Sequence, residues 1–183
     1  MSEGWRDQFE NSEDVACVID RNTIIVYCNP RWDSFALRNG GPRAAGGHVK
    51  GRSLFSYIPS VLEPYYRKII GTAISERKVG ESDYECHSAD KFCVYRLRLL
   101  PIAGTKLLAM VHSLRTEGDI TLETRDRSAD ERSPGEAVSM CAHCRRTWNR
   151  KLLQWDWVPD FVRTPPPVVT HGLCPRCAKR LYA

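Results

Sequence analysis

Two pairs of cysteines near the end of the chain constrain its fold more than any other feature. The first pair is Cys141 and Cys144, the second is Cys174 and Cys177, and both have the spacing C-x-x-C. A C-x-x-C turn places two thiolates on one side of a tight loop, so two such turns complete a tetrahedron around Zn²⁺. The sequence therefore predicts one structural zinc ion held by these four thiols.

The sequence leaves other arrangements open at this site. A redox-active dithiol needs only one pair, and a disulfide within C-x-x-C is strained and disfavoured in the cytosol. His171 or His143 could replace one cysteine as a ligand, although four cysteines already suffice. A catalytic zinc needs an open coordination position and a general base. Because Asp156 and Asp160 are the only carboxylates in 138–183, we expect a closed Cys₄ site.

The insert between the two pairs is 29 residues long, 145–173, and exceeds the usual length for such patterns. Its stretch WNRKLLQWDWVPDFV provides apolar side chains for a small helical or hairpin insert, and PPP predicts a stiff extended return. A module of this size buries too little core to fold alone. Metal binding can supply roughly 10 kcal/mol or more to such a module.

Charge is unevenly distributed along the chain. Residues 1–114 hold 15 Lys and Arg against 13 Asp and Glu, a net charge of +2. Residues 115–137 hold 4 against 7, a net charge of −3, and residues 138–183 hold 8 against 2, a net charge of +6. The stretch 115–137 has no aromatic and few aliphatic side chains, which is typical of a linker. The predicted segments are an N-terminal helix or cap (1–14), a folded domain (15–114), a charged linker (115–137) and a zinc-binding module (138–183).

The folded domain opens with a β-hairpin and a helix. VACVID (15–20) and TIIVYCN (23–29) are β-rich runs separated by a short turn. Pro30 suits the first turn of a helix, and Gly40-Gly41 ends it. Before the hairpin we expect a helix whose Trp5 and Phe9 face either a partner subunit or the domain's own sheet.

The rest of the domain reads as two helical stretches followed by three strands. A short stretch begins at Ser53, and apolar spacing predicts a longer helix over about 60–78. The strands are ESDYECHS, KFCVYRLRLLPI and KLLAMVHSL. The order β-β-α-α-α-β-β-β predicts an α+β fold, a five-stranded antiparallel sheet with helices on one face.

These segments resemble a PAS domain, the bacterial sensory module, over about residues 10–114. IVYCNP (25–30) looks like the PAS opening hairpin, in which a strand ends in Asn and enters a helix. WDSFALRNGG (32–41) resembles the W-x-x-F-A-x-x-N-G-G helix of one PAS subgroup, and YECHSAD (84–90) resembles its Y-x-C-H-S strand. The resemblance implies a PAS fold with a role in sensing or dimerisation.

The cysteine-rich end is similar to a short C-terminal module found on some bacterial PAS and response-regulator proteins. That module begins C-x-x-C-K/R-K/R, carries a Trp midway and ends H-G-x-C-P-x-C-x-x-x-L-Y. Here the closing motif is HGLCPRCAKRLY (171–182).

PAS domains often hold a small molecule between sheet and helices, so the resemblance also implies a cavity. Its candidate wall residues are Ile19, Tyr27, Tyr65, Ile69, Tyr84, Cys86, Tyr95, Leu97, Leu99, Met110 and His112. The same residues equally describe an ordinary core. The flavin-binding Asn-Cys-Arg-Phe-Leu stretch is absent.

Haem is not favoured as the cavity's ligand but stays open. The predicted helix 60–78 holds no His, which is a common haem ligand in PAS domains. Ligation by another geometry could involve the residues His48, His87, His112, Cys86 and Cys93. We expect His87 on the opposite strand face from Tyr84 and Cys86, and therefore in solvent.

The sequence favours a non-enzymatic bacterial signalling protein. It contains no G-x-S-x-G elbow, phosphate loop, H-E-x-x-H or kinase signature. The start MSEGWRDQFENSED is neither a signal nor a transit peptide, and no apolar run is long enough for a membrane span, so we expect a cytoplasmic protein. The expected partners are a second copy of the chain and a signalling protein.

The alternative is a transcription regulator that binds DNA through its basic tail. Its phosphate contacts would come from Arg145, Arg146, Arg150, Lys151, Arg176, Lys179 and Arg180.

Overall fold

The computed structural model describes residues 4–39, 41–45, 47–120 and 135–182. The predicted linker 115–137 lies largely outside these ranges. Within them, no helix is long and apolar enough to cross a bilayer.

The N-terminal domain, residues 4–119, contains three α-helices and five strands within the described ranges. In chain order they are α1 (Gly4–Glu10), β1 (Val15–Ile19), β2 (Ile25–Cys28), α2 (Pro30–Arg38), α3 (Glu63–Glu76), β3 (Gly80–Glu85), β4 (Lys91–Pro101) and β5 (Leu108–Asp119). Short 3₁₀ helices lie between α2 and α3 at Pro42–Ala44, Leu54–Ser56 and Ser60–Leu62. Strand β5 runs past the domain boundary expected at residue 114.

The five strands form one antiparallel sheet in the order β2-β1-β5-β4-β3. The chain leaves the sheet after β2, passes through the helices and re-enters at the far edge with β3. This confirms the expected α+β fold, and the strand order is that of PAS domains.

The sheet buries apolar side chains on both faces. On the helical face the buried cluster includes Ile25, Ile70, Leu97 and Leu99. On the other face Trp5 and Phe9 of α1 pack over Ala16, Val18, Ala109 and Val111. The sequence left open whether Trp5 and Phe9 face a partner subunit or the domain's own sheet. In the structure they pack on the domain's own sheet.

Asn29 joins three elements of the domain. Its side-chain oxygen caps α2 by accepting from the backbone N–H of Trp32 at 3.1 Å, and it also accepts from the N–H of Ala16 at 3.0 Å. Its amide nitrogen donates to the carbonyls of Phe9 and Asp14. Asn29 is only 1% exposed, so these bonds satisfy a buried polar side chain.

The cysteine module, residues 138–182, is a small sheet with two short helices. Its elements are β6 (Val138–Cys141), β7 (Thr147–Asn149), β8 (Gln154–Asp156), α4 (Pro159–Arg163), β9 (Val169–Gly172) and α5 (Pro175–Tyr182). The strand order is β8-β7-β6-β9, with β9 parallel to β6. The insert predicted as helical or hairpin contains both, since β7 and β8 pair as a hairpin and α4 follows.

Candidate functional site

The four cysteines of the two C-x-x-C pairs come together at one buried point. Their sulfur atoms all lie within 4.8 Å of one another, and the Sγ atoms of Cys144 and Cys174 are 3.7 Å apart. A tetrahedron with Zn–S bonds of about 2.3 Å has S···S edges of about 3.8 Å, close to this separation.

Backbone geometry positions these thiols. Cys141 ends β6, and a tight turn, closed by the N–H of Arg145 that donates to the carbonyl of Cys141 at 3.0 Å, brings Cys144 back beside it. Cys174 and Cys177 lie just before and within the first turn of α5. The two loops are joined by the N–H of Cys174, which donates to the Sγ of Cys141 at 3.4 Å.

Neither histidine considered as a substitute ligand belongs to this cluster. His171 is exposed on β9, opposite Met140 of β6. His143 is buried and its ring lies 5.9 Å from that of Tyr84 in the N-terminal domain. Within the described residues, the donor set that could hold a metal consists of the four cysteines alone.

A second feature is a cavity of about 260 Å³ between the sheet and the helices of the N-terminal domain. Its sheet wall includes Tyr84, Met110 and His112 from the predicted set, and its helical wall includes Trp32 and Ala36 of α2. The sequence predicted this helix from Pro30 and Gly40-Gly41 but did not assign it to the cavity wall.

The polar end of the cavity is a tyrosine and histidine pair. The Tyr84 hydroxyl is 2.8 Å from Nδ1 of His112. Burial raises the pKa of Tyr84 and lowers that of His112 to about 4, so both groups are neutral near pH 7. A tyrosine O–H that donates to Nδ1 leaves the histidine proton on Nε2, whereas a proton on Nδ1 reverses the bond. Either tautomer leaves the pair one donor for a ligand, the Nε2–H of His112 in the first case and the hydroxyl of Tyr84 in the second.

Tyr27 was wrongly predicted to line the cavity. The register between β1 and β2 pairs Val18 with Tyr27 but Ile19 with Ile25, so Val26 is an extra residue. A bulge of this kind reverses the alternation of side chains along the strand. Ile25 consequently packs on the helical face, whereas Tyr27 packs on the opposite face with Trp5.

The other candidate wall residues lie beside the cavity rather than on it. Ile69 and Leu97 line a separate hollow between α3 and the strands, and Cys86 and Tyr95 line a hollow next to the β3–β4 hairpin. The hydroxyl of Tyr65 bonds with Ser82, and its ring faces Tyr182 of the cysteine module.

The third feature is a docking surface between the two parts of the chain, which sequence reasoning missed. At its centre the carboxylate of Glu85, only 4% exposed, faces three arginines of the cysteine module. The nearest Arg nitrogens are 2.6 Å away for Arg176, 3.6 Å for Arg180 and 3.9 Å for Arg146. The contact with His87, whose Nε2 lies 3.3 Å from a carboxylate oxygen, is the main cause that lowers the pKa of Glu85, and the charges of Arg176 and Arg146 contribute further.

His87 was wrongly predicted to point into solvent, since the structure buries it completely. Strand β3 ends at Glu85, so the alternation on which that prediction rested no longer applies at residue 87. The ring lies between Phe92 and Trp157 of the cysteine module, with centroid distances of 4.6 and 5.5 Å. Its Nδ1 accepts from the N–H of Cys93, so Nε2 carries the proton and faces Glu85 at 3.3 Å.

The docking surface extends on either side of Glu85. At one end the Tyr182 hydroxyl donates to the carbonyl of Val61 at 3.1 Å. At the other end Arg163 pairs with Asp90 of the β3–β4 turn. The contacts therefore run along the edge strand β3, from the segment around Val61 at one end to the β3–β4 turn at the other.

Comparisons with known proteins add the following. No protein-family model matches the sequence, and no curated protein sequence matches it. Among solved structures, a sensory box sensor histidine kinase from Vibrio cholerae is 15% identical, with a TM-score of 0.46 over 61% of this chain and 90% of that one. The PAS domain of BvgS from Bordetella pertussis is 14% identical, with a TM-score of 0.45 over 65% and 85%.

The PAS domain of an HTR-like protein from Haloarcula marismortui is 23% identical, with a TM-score of 0.39 over 61% of this chain and 89% of that one.

Proposed function

We propose that this chain is a non-enzymatic signalling protein in which a small-molecule cavity is coupled to a structural zinc module. One residue carries the proposal. Tyr84 holds His112 in the cavity through its hydroxyl, while its ring contacts His143 of the cysteine module. The next residue, Glu85, is the centre of the docking surface. A ligand that moves the Tyr84 ring therefore acts directly on the contact between the two parts.

The cavity walls indicate the class of ligand. They are mainly apolar, and their polar side chains include Asn39, His112 and the tyrosines Tyr57, Tyr66 and Tyr84. A volume of about 260 Å³ lies below the range of roughly 300–1,000 Å³ that is usual for drug-sized ligands. We expect a small, largely apolar molecule with an acceptor for the donor that the Tyr84 and His112 pair provides.

The metal in the cysteine module is proposed to be Zn²⁺ in a closed Cys₄ site. Tetrahedral thiolate sites suit zinc, and four protein ligands leave no position for a catalytic water. The metal supplies folding free energy to a module whose other buried cluster contains only Val138, Met140, Val158 and Phe161. The cytoplasmic location, the homodimer and the absence of catalysis stay predictions of this proposal.

Thermal unfolding with a panel of small apolar molecules tests the sensing role. We expect at least one of indole, quinoline or octanoate to raise the Tm of the zinc-loaded chain. Ala36→Leu extends a side chain into the cavity and should abolish the rise. Leu37→Ala, next to it on α2 but 61% exposed, should preserve it. A rise that survives in Ala36→Leu would place binding elsewhere and contradict the proposal.

A further inference from the structure

The three arginines on Glu85 come from two parts of the cysteine module. Arg146 follows the first C-x-x-C turn, and Arg176 and Arg180 are one turn apart on α5. Side chains at i and i+4 share a helix face, and Lys179 lies beside them at i+3. Three guanidinium groups around one buried carboxylate form an anion site whose occupant belongs to the same chain.

We infer that this arginine surface binds the phosphate backbone of nucleic acid, and that the Glu85 carboxylate offsets part of its positive charge while the module is docked. The inference rests on the proposed function, in which the zinc module is the output. The sequence suggested that seven basic residues of the tail could contact DNA. In the structure three of them, Arg146, Arg176 and Arg180, face Glu85 instead, so the inference makes their contact with DNA depend on undocking.

Charge favours nucleic acid over an acidic protein as the partner. The module holds 8 Lys and Arg against 2 Asp and Glu, a net charge of +6. Asp160 pairs with Arg163 on α4, and Asp156 bonds with Asn149 and Gln154 on the hairpin. Neither carboxylate belongs to the arginine surface, which is therefore continuous in charge. A surface of one sign suits a uniformly charged polyanion.

The test measures the affinity of the zinc-loaded full chain for a fluorescein-labelled 20-base-pair duplex DNA across a salt series. Glu85→Gln removes the carboxylate charge with little change in shape. We expect its affinity to rise about tenfold and the slope of log K against log salt to steepen by up to about three, since each phosphate contact contributes about 0.9. Arg176→Ala with Arg180→Ala in the Glu85→Gln background should remove most of the gain.

Two further variants separate the causes. Glu81→Gln removes the same charge from the same strand, but Glu81 pairs with Arg96 and not with the module, so DNA affinity should not change. Tyr182→Ala removes a docking contact without altering charge, and it should also raise DNA affinity. This variant keeps the inference testable if Glu85→Gln folds poorly.

The radius of gyration from small-angle X-ray scattering, measured in parallel, distinguishes the outcomes. A larger radius in Glu85→Gln or Tyr182→Ala with unchanged DNA affinity overturns the inference but leaves the proposed function standing. An unchanged radius and unchanged affinity in both variants contradict the docking role of Glu85, and the proposed function with it. A gain in binding to polyglutamate but not to DNA replaces nucleic acid with an acidic protein partner.

Discussion

The N-terminal domain buries its own apolar core, whereas the cysteine module gathers its side chains around four thiols. In the domain, Leu97, Leu99 and their neighbours fill the space between a five-stranded sheet and its helices. In the module the strands have three or four residues each, and one of its buried clusters consists of the four cysteines. Apolar burial therefore stabilises the domain, whereas the module, on the function proposed above, depends on a zinc ion and on docking.

The contact between the N-terminal domain and the cysteine module depends on other interactions than those inside either part. Their contact combines one buried carboxylate, three arginines and a histidine that lies between two aromatic rings. Ionic contacts of this kind contribute little net stability but respond strongly to changes at either partner. The junction is therefore suited to switching rather than to holding the chain together.

Removal of the proposed zinc should have the largest effect, and it should affect the module and not the N-terminal domain. We expect Cys174→Ser to lose the fold of the module, because structural zinc contributes about 10 kcal/mol or more in small modules. Metal analysis should find one zinc per chain in the wild type and a severe loss in the variant. Hydrogen exchange should show loss of protection in 138–182 only.

The matched control for that experiment is Cys28→Ala, a cysteine of β2 outside the metal cluster. It should keep the zinc and the protection of the module. A module that stays protected after the metal is gone would show that its own packing suffices.

The converse change is Leu99→Ala in the core of the N-terminal domain. Leu99 is 1% exposed, so its truncation should lower the free energy of unfolding by about 4 kcal/mol. Leu153→Ala at the 72% exposed tip of the module hairpin should cost less than about 0.5 kcal/mol. Urea denaturation measures both, and the zinc content of Leu99→Ala should not change. A cost below about 1 kcal/mol for Leu99→Ala would contradict the apolar account of this domain.

Asn29→Ala should have the next largest effect, about 3 kcal/mol, because it removes a helix cap and leaves the buried N–H of Ala16 unpaired. Asn29→Asp keeps the acceptor but loses the two donor bonds, so its cost should be smaller. Chemical denaturation with both variants checks the order. Equal costs would show that the donor bonds to Phe9 and Asp14, rather than the cap, are what matter.

The smallest expected effect is a loss of folding stability at acid pH. Burial lowers the pKa of His112 to about 4, and an exposed histidine has a value near 6.5. Between these values the unfolded chain binds more protons than the folded chain, so stability falls as the pH is lowered through this window. Between pH 7 and pH 5 this group alone should cost about 2 kcal/mol. Denaturation of His112→Gln should show a fall that is smaller by this amount; an identical fall would assign it to other groups.

Local patterns in the sequence were sufficient for much of this structure. Asn29-Pro30 marked the start of α2, the β-rich runs marked the strands, and the C-x-x-C spacing brought the four thiols together. Each of these depends on neighbours within a few residues, or on a ligand set with known geometry.

The errors have two origins, a bulge in a local hairpin and contacts between distant parts of the chain. The bulge at Val26 moved Tyr27 to the other face, and periodicity alone does not locate a bulge. His87 was placed in solvent because its cover, Trp157, comes from the cysteine module. Arg176 and Glu85 are 91 residues apart in sequence, and nothing local to either predicts their pairing.

The coupling of cavity and module through β3 is tested most directly by NMR of the tryptophan indole groups in ¹⁵N-labelled, zinc-loaded protein. Trp32 lines the cavity, Trp157 lies in the docking surface, and Trp5 packs on the far face of the sheet. Filling the cavity with Ala36→Leu should shift the signals of Trp32 and Trp157 but not that of Trp5. In a Tyr84→Ala background, Ala36→Leu should shift Trp32 alone. If Ala36→Leu leaves the Trp157 signal unshifted in the chain that retains Tyr84, the proposed coupling is contradicted.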